Sequence, residues 1–169
     1  RNFANVIRQS ADGTGDGTPA NQPVDPDIFA DAQVNQTGDD NDALITQDAV
    51  PVLASITQDG NENSSTIVQT ATSSGSSAIT TQFGNQNDSL ITQSGTGASA
   101  TVSQTDVPSG NGRPRLRGDD GRDVAGGDPV RANWSNIMQS GDGVAADITQ
   151  SGDLNRSEVL QSGDGADAK

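Results

Sequence analysis

The sequence predicts an all-β chain: a two-stranded β-solenoid of cross-β character, made of 11-residue strand-turn units with 22 residues per rung and two inserted loops. Three observations predict it. Eleven of the fourteen glutamines fall on one lattice, at Gln9, Gln36, Gln47, Gln58, Gln69, Gln82, Gln93, Gln104, Gln139, Gln150 and Gln161. Two residues before each stands Ile or Val in ten of the eleven units: Ile7, Val34, Ile45, Ile56, Ile67, Ile91, Val102, Ile137, Ile148 and Val159. Two residues after comes glycine, at Gly38, Gly60, Gly84, Gly95, Gly141, Gly152 and Gly163.

Each part of the unit has a physical reason. The residue four before the Gln is small (Ala43, Ala54, Ser65, Ser89, Ala146), so small, aliphatic and amide side chains alternate with outward positions. A period of two is a strand with one buried face. The glycine and the Asp or Asn behind it are turn residues. One such strand cannot bury its face alone, but a stack can, with each rung hydrogen-bonding the next at ~4.8 Å. In that stack each Gln lies above another, and their amides form ladders that satisfy groups otherwise costing ~1–3 kcal/mol each when buried. Asn five after the Gln (Asn41, Asn63, Asn87, Asn155) repeats in the same way. The Gln82 unit is the poorest, with Thr80 where the aliphatic belongs.

Composition alone argues the opposite. Leu, Ile, Val and Phe number thirty in 169 residues and the net charge is -14, the profile of a disordered chain. A disordered Asn/Gln tract would not hold an aliphatic two residues before the Gln in ten of eleven units, so the repeat decides. The other exclusions are chemical. With no His, Cys or Tyr, the chain lacks the usual acid–base and thiol chemistry, soft metal ligands and disulfides, and it is read as not an enzyme. The acidic balance argues against nucleic acid as a partner, and no apolar run reaches a membrane span. A start at Arg1 without Met reads as a processed form. Of 23 acidic residues 21 are Asp, and Lys169 is the only lysine, a bias that resembles proteins of salty habitats.

These residues resemble a known family. Ala54-Ser55-Ile56-Thr57-Gln58-Asp59-Gly60-Asn61-Glu62-Asn63, Ser89-Leu90-Ile91-Thr92-Gln93-Ser94-Gly95 and Ala146-Asp147-Ile148-Thr149-Gln150-Ser151-Gly152-Asp153-Leu154-Asn155 are similar to the curlin repeat of curli fibre subunits. The resemblance implies secreted subunits that stack into amyloid-like fibres of a biofilm matrix or cell surface, with a nucleator and secretion machinery as partners. Two long interruptions and the lack of Tyr depart from that pattern.

The chain divides accordingly. Residues 1–9 form an N-terminal strand that is a candidate for exchange with a neighbouring subunit; 10–28 are a Pro/Gly/Asp linker. Repeats fill 29–104 and 133–169, around an insertion at 105–132 that carries Arg113, Arg115, Arg117, Arg122 and Arg131. Core ladder candidates are Gln47, Gln58, Gln69, Gln82, Gln93, Gln104, Gln139, Gln150 and Gln161. The aliphatic core is Ile45, Ile56, Ile67, Ile91, Val102, Ile137, Ile148 and Val159. Assembly ends are assigned to Val6, Ile7 and Gln9 at one side and Val159 and Gln161 at the other.

Three smaller readings complete the picture. No cofactor is expected, beyond weak divalent binding at the turn aspartates Asp12, Asp39, Asp142, Asp153 and Asp164. Of five Asn-x-Ser/Thr sequons, Asn35 alone is an outward candidate for glycosylation, since Asn63, Asn87 and Asn155 belong to the repeat. The partner is the chain itself, as a homopolymer. The alternative function is a monomeric binding solenoid, ice-binding or calcium-dependent adhesin-like; outward Thr46, Thr57, Thr81, Thr92 and Thr149 lack the paired Thr-x-Thr an ice face wants.

Overall fold

The computed structural model describes residues 2–8, 30–48, 51–70, 72–105, 133–152 and 154–168. The described residues form twelve strands: β1 Phe3–Arg8, β2 Ala30–Thr37, β3 Asp42–Gln47, β4 Val52–Asp59, β5 Ser64–Gln69, β6 Ser76–Phe83, β7 Asp88–Gln93, β8 Ser99–Thr105, β9 Asn133–Gln139, β10 Ala145–Ser151, β11 Asn155–Gln161 and β12 Asp167–Ala168. Odd strands form one sheet, in the order β1-β3-β5-β7-β9-β11. Even strands form the other, β12-β10-β8-β6-β4-β2. Every pairing is parallel. The chain therefore winds as a two-stranded solenoid, one odd and one even strand per turn.

Register follows the repeat. Gln36, Gln58, Gln82, Gln104 and Gln150 are successive partners in the even sheet. Gln47, Gln69, Gln93, Gln139 and Gln161 are successive partners in the odd sheet. A slip of one residue would turn every Ile and Gln to solvent, so burial of one face holds this register. The two residues that lengthen the Gln69-to-Gln82 spacing fall in the connection 70–75, and the strands on either side stay in step.

The core is a thin layer between the sheets. Ile45, Ile56, Ile67, Ile91 and Ile137 are fully buried, in one cluster with Ala43, Ala54, Ala78 and Ala100. Each such Ile contributes ~1.5–3 kcal/mol by leaving water. Thr80, at the lattice position lacking an aliphatic, is also fully buried and accepts a hydrogen bond from Ser89 Oγ at 3.4 Å.

At the first strand the pairing differs from the spacing expectation. Val6 stands opposite Ile45 and Arg8 opposite Gln47, while Ile7 pairs with Thr46, an outward position. Counting back from the Gln lattice placed Ile7 and Gln9 in those roles. The physical reason is Asn2: its side chain joins the Asn ladder at Asn41, which sets β1 one residue away from the glutamine count. Gln9 lies outside the described residues, as do Asp12, Asp153, the linker 10–28 and the Arg residues of the insertion.

Candidate assembly surfaces

The amide ladders are the chemical spine of the molecule. In the odd sheet Gln47 Nε2 donates to Gln69 Oε1 at 3.1 Å, Gln69 to Gln93 at 3.0 Å, Gln93 to Gln139 at 3.0 Å and Gln139 to Gln161 at 2.9 Å. In the even sheet Gln36 donates to Gln58, Gln58 to Gln82, Gln82 to Gln104 and Gln104 to Gln150, all at 2.8–2.9 Å. Every step donates from the lower-numbered Gln to the higher. Both ladders therefore share one polarity along the axis.

The second amide hydrogen braces the sheets together. It crosses the core to a backbone carbonyl of the opposite sheet: Gln58 to Asp42 O, Gln82 to Ser64 O and Gln104 to Asp88 O at 3.0 Å, and Gln93 to Ser77 O and Gln150 to Trp134 O at 2.9 Å. A buried Gln here spends both donors inside the protein, which is why an amide can occupy a dry core. All nine predicted ladder glutamines from Gln47 to Gln161 are buried.

A third ladder, of asparagines, runs the other way. Asn63 Nδ2 donates to Asn41 Oδ1 at 3.1 Å, Asn87 to Asn63 at 3.0 Å, Asn133 to Asn87 at 2.8 Å and Asn155 to Asn133 at 2.9 Å. It continues to Asn2, with longer bonds of 3.2 Å from Asn41 N and 3.4 Å from Asn41 Nδ2. Asn133 and Asn2 were missed as ladder members because neither follows a lattice Gln by five residues. Asn35 is exposed on β2, while the sequon residues Asn63, Asn87 and Asn133 are buried.

The two edges use glycine differently. On the edge joining even to odd strands, Gly38, Gly60, Gly84 and Gly152 have positive φ. On the other edge the positive φ sits two residues later, at Gly97, Gly143 and Gly165. Gly95 and Gly141 are needed there for closeness: a Cβ on Gly95 would lie 1.9 Å from Gly141 O, and one on Gly141 would lie 2.2 Å from Gly163 O. The turn aspartates stack as well. Asp142 Oδ1 accepts from Thr96 N at 2.8 Å, and Asp164 Oδ1 from Asp142 N at 3.2 Å. On the other edge Asn61 Oδ1 does the same for Asp39 N at 2.9 Å.

The outer faces are unlike one another. The odd sheet presents Leu90, Met138 and Leu160, with Met138 and Leu160 exposed, and the Arg156 guanidinium stacked 4.6 Å from the Trp134 ring centroid. The even sheet presents mostly Ser and Thr, interrupted by exposed Leu53, Ile79 and Phe83. Among the described residues no group of three or more His, Cys, Asp or Glu is placed to hold a metal ion. No described helix is long and apolar enough to cross a membrane.

Among the described residues the outermost strands of the stack are β1 and β2 at one end and β11 and β12 at the other. The core opens there: Val34 in β2 and Val159 in β11 are only partly buried. A model of the curlin associated repeat matches residues 73–105 and 145–169, the stretches that supply β6, β7 and β8 and then β10, β11 and β12. These two stretches are curlin repeats. No curated protein and no solved structure matches it significantly. The curlin-repeat match covers strand, turn and strand in both stretches, so the family signal and the solenoid rung are one object. Curlin repeats are structural units, and the geometry here is consistent with that: buried amides tied into ladders, and turns packed backbone to backbone.

Proposed function

We propose that this chain is a structural subunit that polymerises head to tail into an extracellular amyloid-like fibre, of the kind that curli form in a biofilm matrix or on a cell surface. The observation that carries the reading is the pair of open ends. Val34 and Val159 lie half covered while Ile45, Ile56, Ile67 and Ile91 between them are fully buried. Among the described residues β1 and β11 are also the outermost strands of one parallel sheet, and such an edge is a template for another strand. The one-way Gln ladders make the ends different, so like ends do not match and unlike ends do. A contact between unlike ends does not close, and filaments result.

The family supports the same conclusion, since curlin-repeat proteins are subunits of extracellular curli. On this reading the chain performs no catalysis, its main partner is a second copy, and a nucleator and export machinery serve it. The test is electron microscopy of the purified chain across a concentration series. Unbranched filaments with a ~4.8 Å repeat along their axis are expected. A protein that stays monomeric at every concentration and salt refutes the reading.

A further inference from the structure

The side chains that oxidants attack are almost absent from this chain. It has no Cys, Tyr or His, one methionine, Met138, and one tryptophan, Trp134. Both lie on β9, at positions on the outer face of the odd sheet. Their cover differs. Trp134 is half-buried, with the Arg156 guanidinium 4.6 Å from its ring centroid, whereas Met138 is 46% exposed. Among the described residues the buried side chains are Ala, Ile, Val, Asn, Gln, Ser and Thr, none of which carries sulfur or an aromatic ring.

We propose that Met138 is an oxidation site for hydroperoxides, and that oxygen transfer to its sulfur turns the odd-sheet face polar while leaving the rungs as they are. With no thiol in the chain, the thioether is the group a peroxide attacks first, and its susceptibility follows its exposure. The sulfur lone pair attacks one oxygen of hydrogen peroxide. An S–O bond forms as the O–O bond breaks, and the departing hydroxide takes the remaining peroxide proton and leaves as water. The thioether is oxidised to a sulfoxide and the peroxide is reduced.

The place of Met138 in the sheet sets the consequence. It stands between Thr92 of β7 and Leu160 of β11, with Leu90 on the diagonal. Met138 and Leu160 are the exposed apolar residues of that face, so a sulfoxide at Met138 puts a strong acceptor beside Leu160. In a core, that oxygen would be buried without a donor and would unfold the site. On this face it meets water. Its strand neighbours Ile137 and Gln139 point the other way, into the aliphatic layer and the glutamine ladder. The even-sheet face keeps exposed Leu53, Ile79 and Phe83, none of which has a sulfur, so the change is one-sided.

The test uses dilute, unpolymerised chain at low salt, so its outcome is separate from that of the fibre reading. Folded and urea-unfolded protein are treated with hydrogen peroxide, and peptides are weighed. One oxygen should be gained, at Met138, with the two rates within a few-fold of each other. The oxidised chain should elute earlier from a hydrophobic interaction column and keep the urea midpoint of the untreated chain. Met138→Gln, polar without oxidation, should elute early in the same way. Met138→Leu should gain no oxygen on that timescale and show no change in elution on treatment. Protection of roughly ten-fold or more in the folded chain would mean that the sulfur is covered, and overturns the site. A lowered urea midpoint after oxidation, or unchanged elution of the oxidised wild type, overturns the switch of the face.

Discussion

Replacing Gln93 by Leu tests whether the ladders hold the monomer together. Gln93 is fully buried at the middle of the odd-sheet ladder. It accepts from Gln69 Nε2 at 3.0 Å and donates to Gln139 Oε1 at 3.0 Å and Ser77 O at 2.9 Å. Leucine has a similar volume, so the cavity term is small. What changes is hydrogen bonding. Gln139 Oε1 loses its ladder donor, and Ser77 O loses the side-chain donor that reaches it across the core. Gln69 Nε2 keeps Leu53 O at 3.0 Å and is only partly deprived. A buried ladder acceptor losing its donor at ~1–3 kcal/mol, and a part-buried carbonyl losing one at less, predict a loss of about 2–4 kcal/mol. That is a large part of a typical stability of ~5–15 kcal/mol. Gln161→Leu is the comparison at the ladder's end: it removes the acceptor of Gln139 Nε2, which keeps Ser99 O at 3.0 Å, and the donor to the part-buried backbone carbonyls of Ala145 and Ala166, but deprives no buried ladder amide of its donor, and it should cost less than Gln93→Leu. The assay is urea unfolding of dilute, unpolymerised protein at low salt, comparing midpoints at constant slope. If Gln93→Leu unfolds within ~1 kcal/mol of wild type, the ladder satisfies groups without stabilising the fold, and the reasoning fails.

Three other outcomes are expected. Ile91→Asp puts a charge at a fully buried position and should cost several kcal/mol; circular dichroism would show loss of β structure, and unchanged assembly kinetics would contradict the core assignment. Gly60→Ala places a Cβ 1.8 Å from Gly84 O at a residue with φ 136°, so the turn must open; a thermal unfolding midpoint equal to wild type would show that the backbone stack is looser than drawn. Assembly should accelerate with NaCl, because backbone N–H groups hold the Asp142 and Asp164 carboxylates in a column one rung apart, where like charges repel by ~1 kcal/mol even in water, and ~1 M salt shortens the Debye length to ~3 Å. An elongation rate independent of salt, with magnesium compared at equal ionic strength, would remove the acidic turns from the mechanism.

Much of this molecule was legible in its sequence because a solenoid rung is a local object. Ile56, Gln58 and Gly60 state the strand, its buried face and its turn within five residues, and eleven near-copies repeat the statement. The parity of the strand, which decides inside from outside, needs no long-range information. Even the two kinds of edge are written there: Asn follows the Gln by five residues after four of the five even-sheet glutamines, and Gly follows by four after three of the five odd-sheet ones, at Gly97, Gly143 and Gly165.

What only the tertiary structure decided concerns direction and register. Ladder polarity is a choice each amide makes through its neighbours, and nothing local distinguishes Gln93 donating to Gln139 from the reverse; the carbonyls of the opposite sheet, such as Ser77 O, fix which way Nε2 points. The register of β1 hung on Asn2 reaching Asn41 across 39 residues of chain, a contact that no count of glutamines contains. Likewise, that Gln47 Oε1 is buried without a hydrogen-bond partner is seen only in the structure. The sequence by itself determined the rung, because short-range periodicity and burial suffice for it. The structure decided the direction of the ladders and the register of β1, because both are set by contacts between residues far apart in the chain.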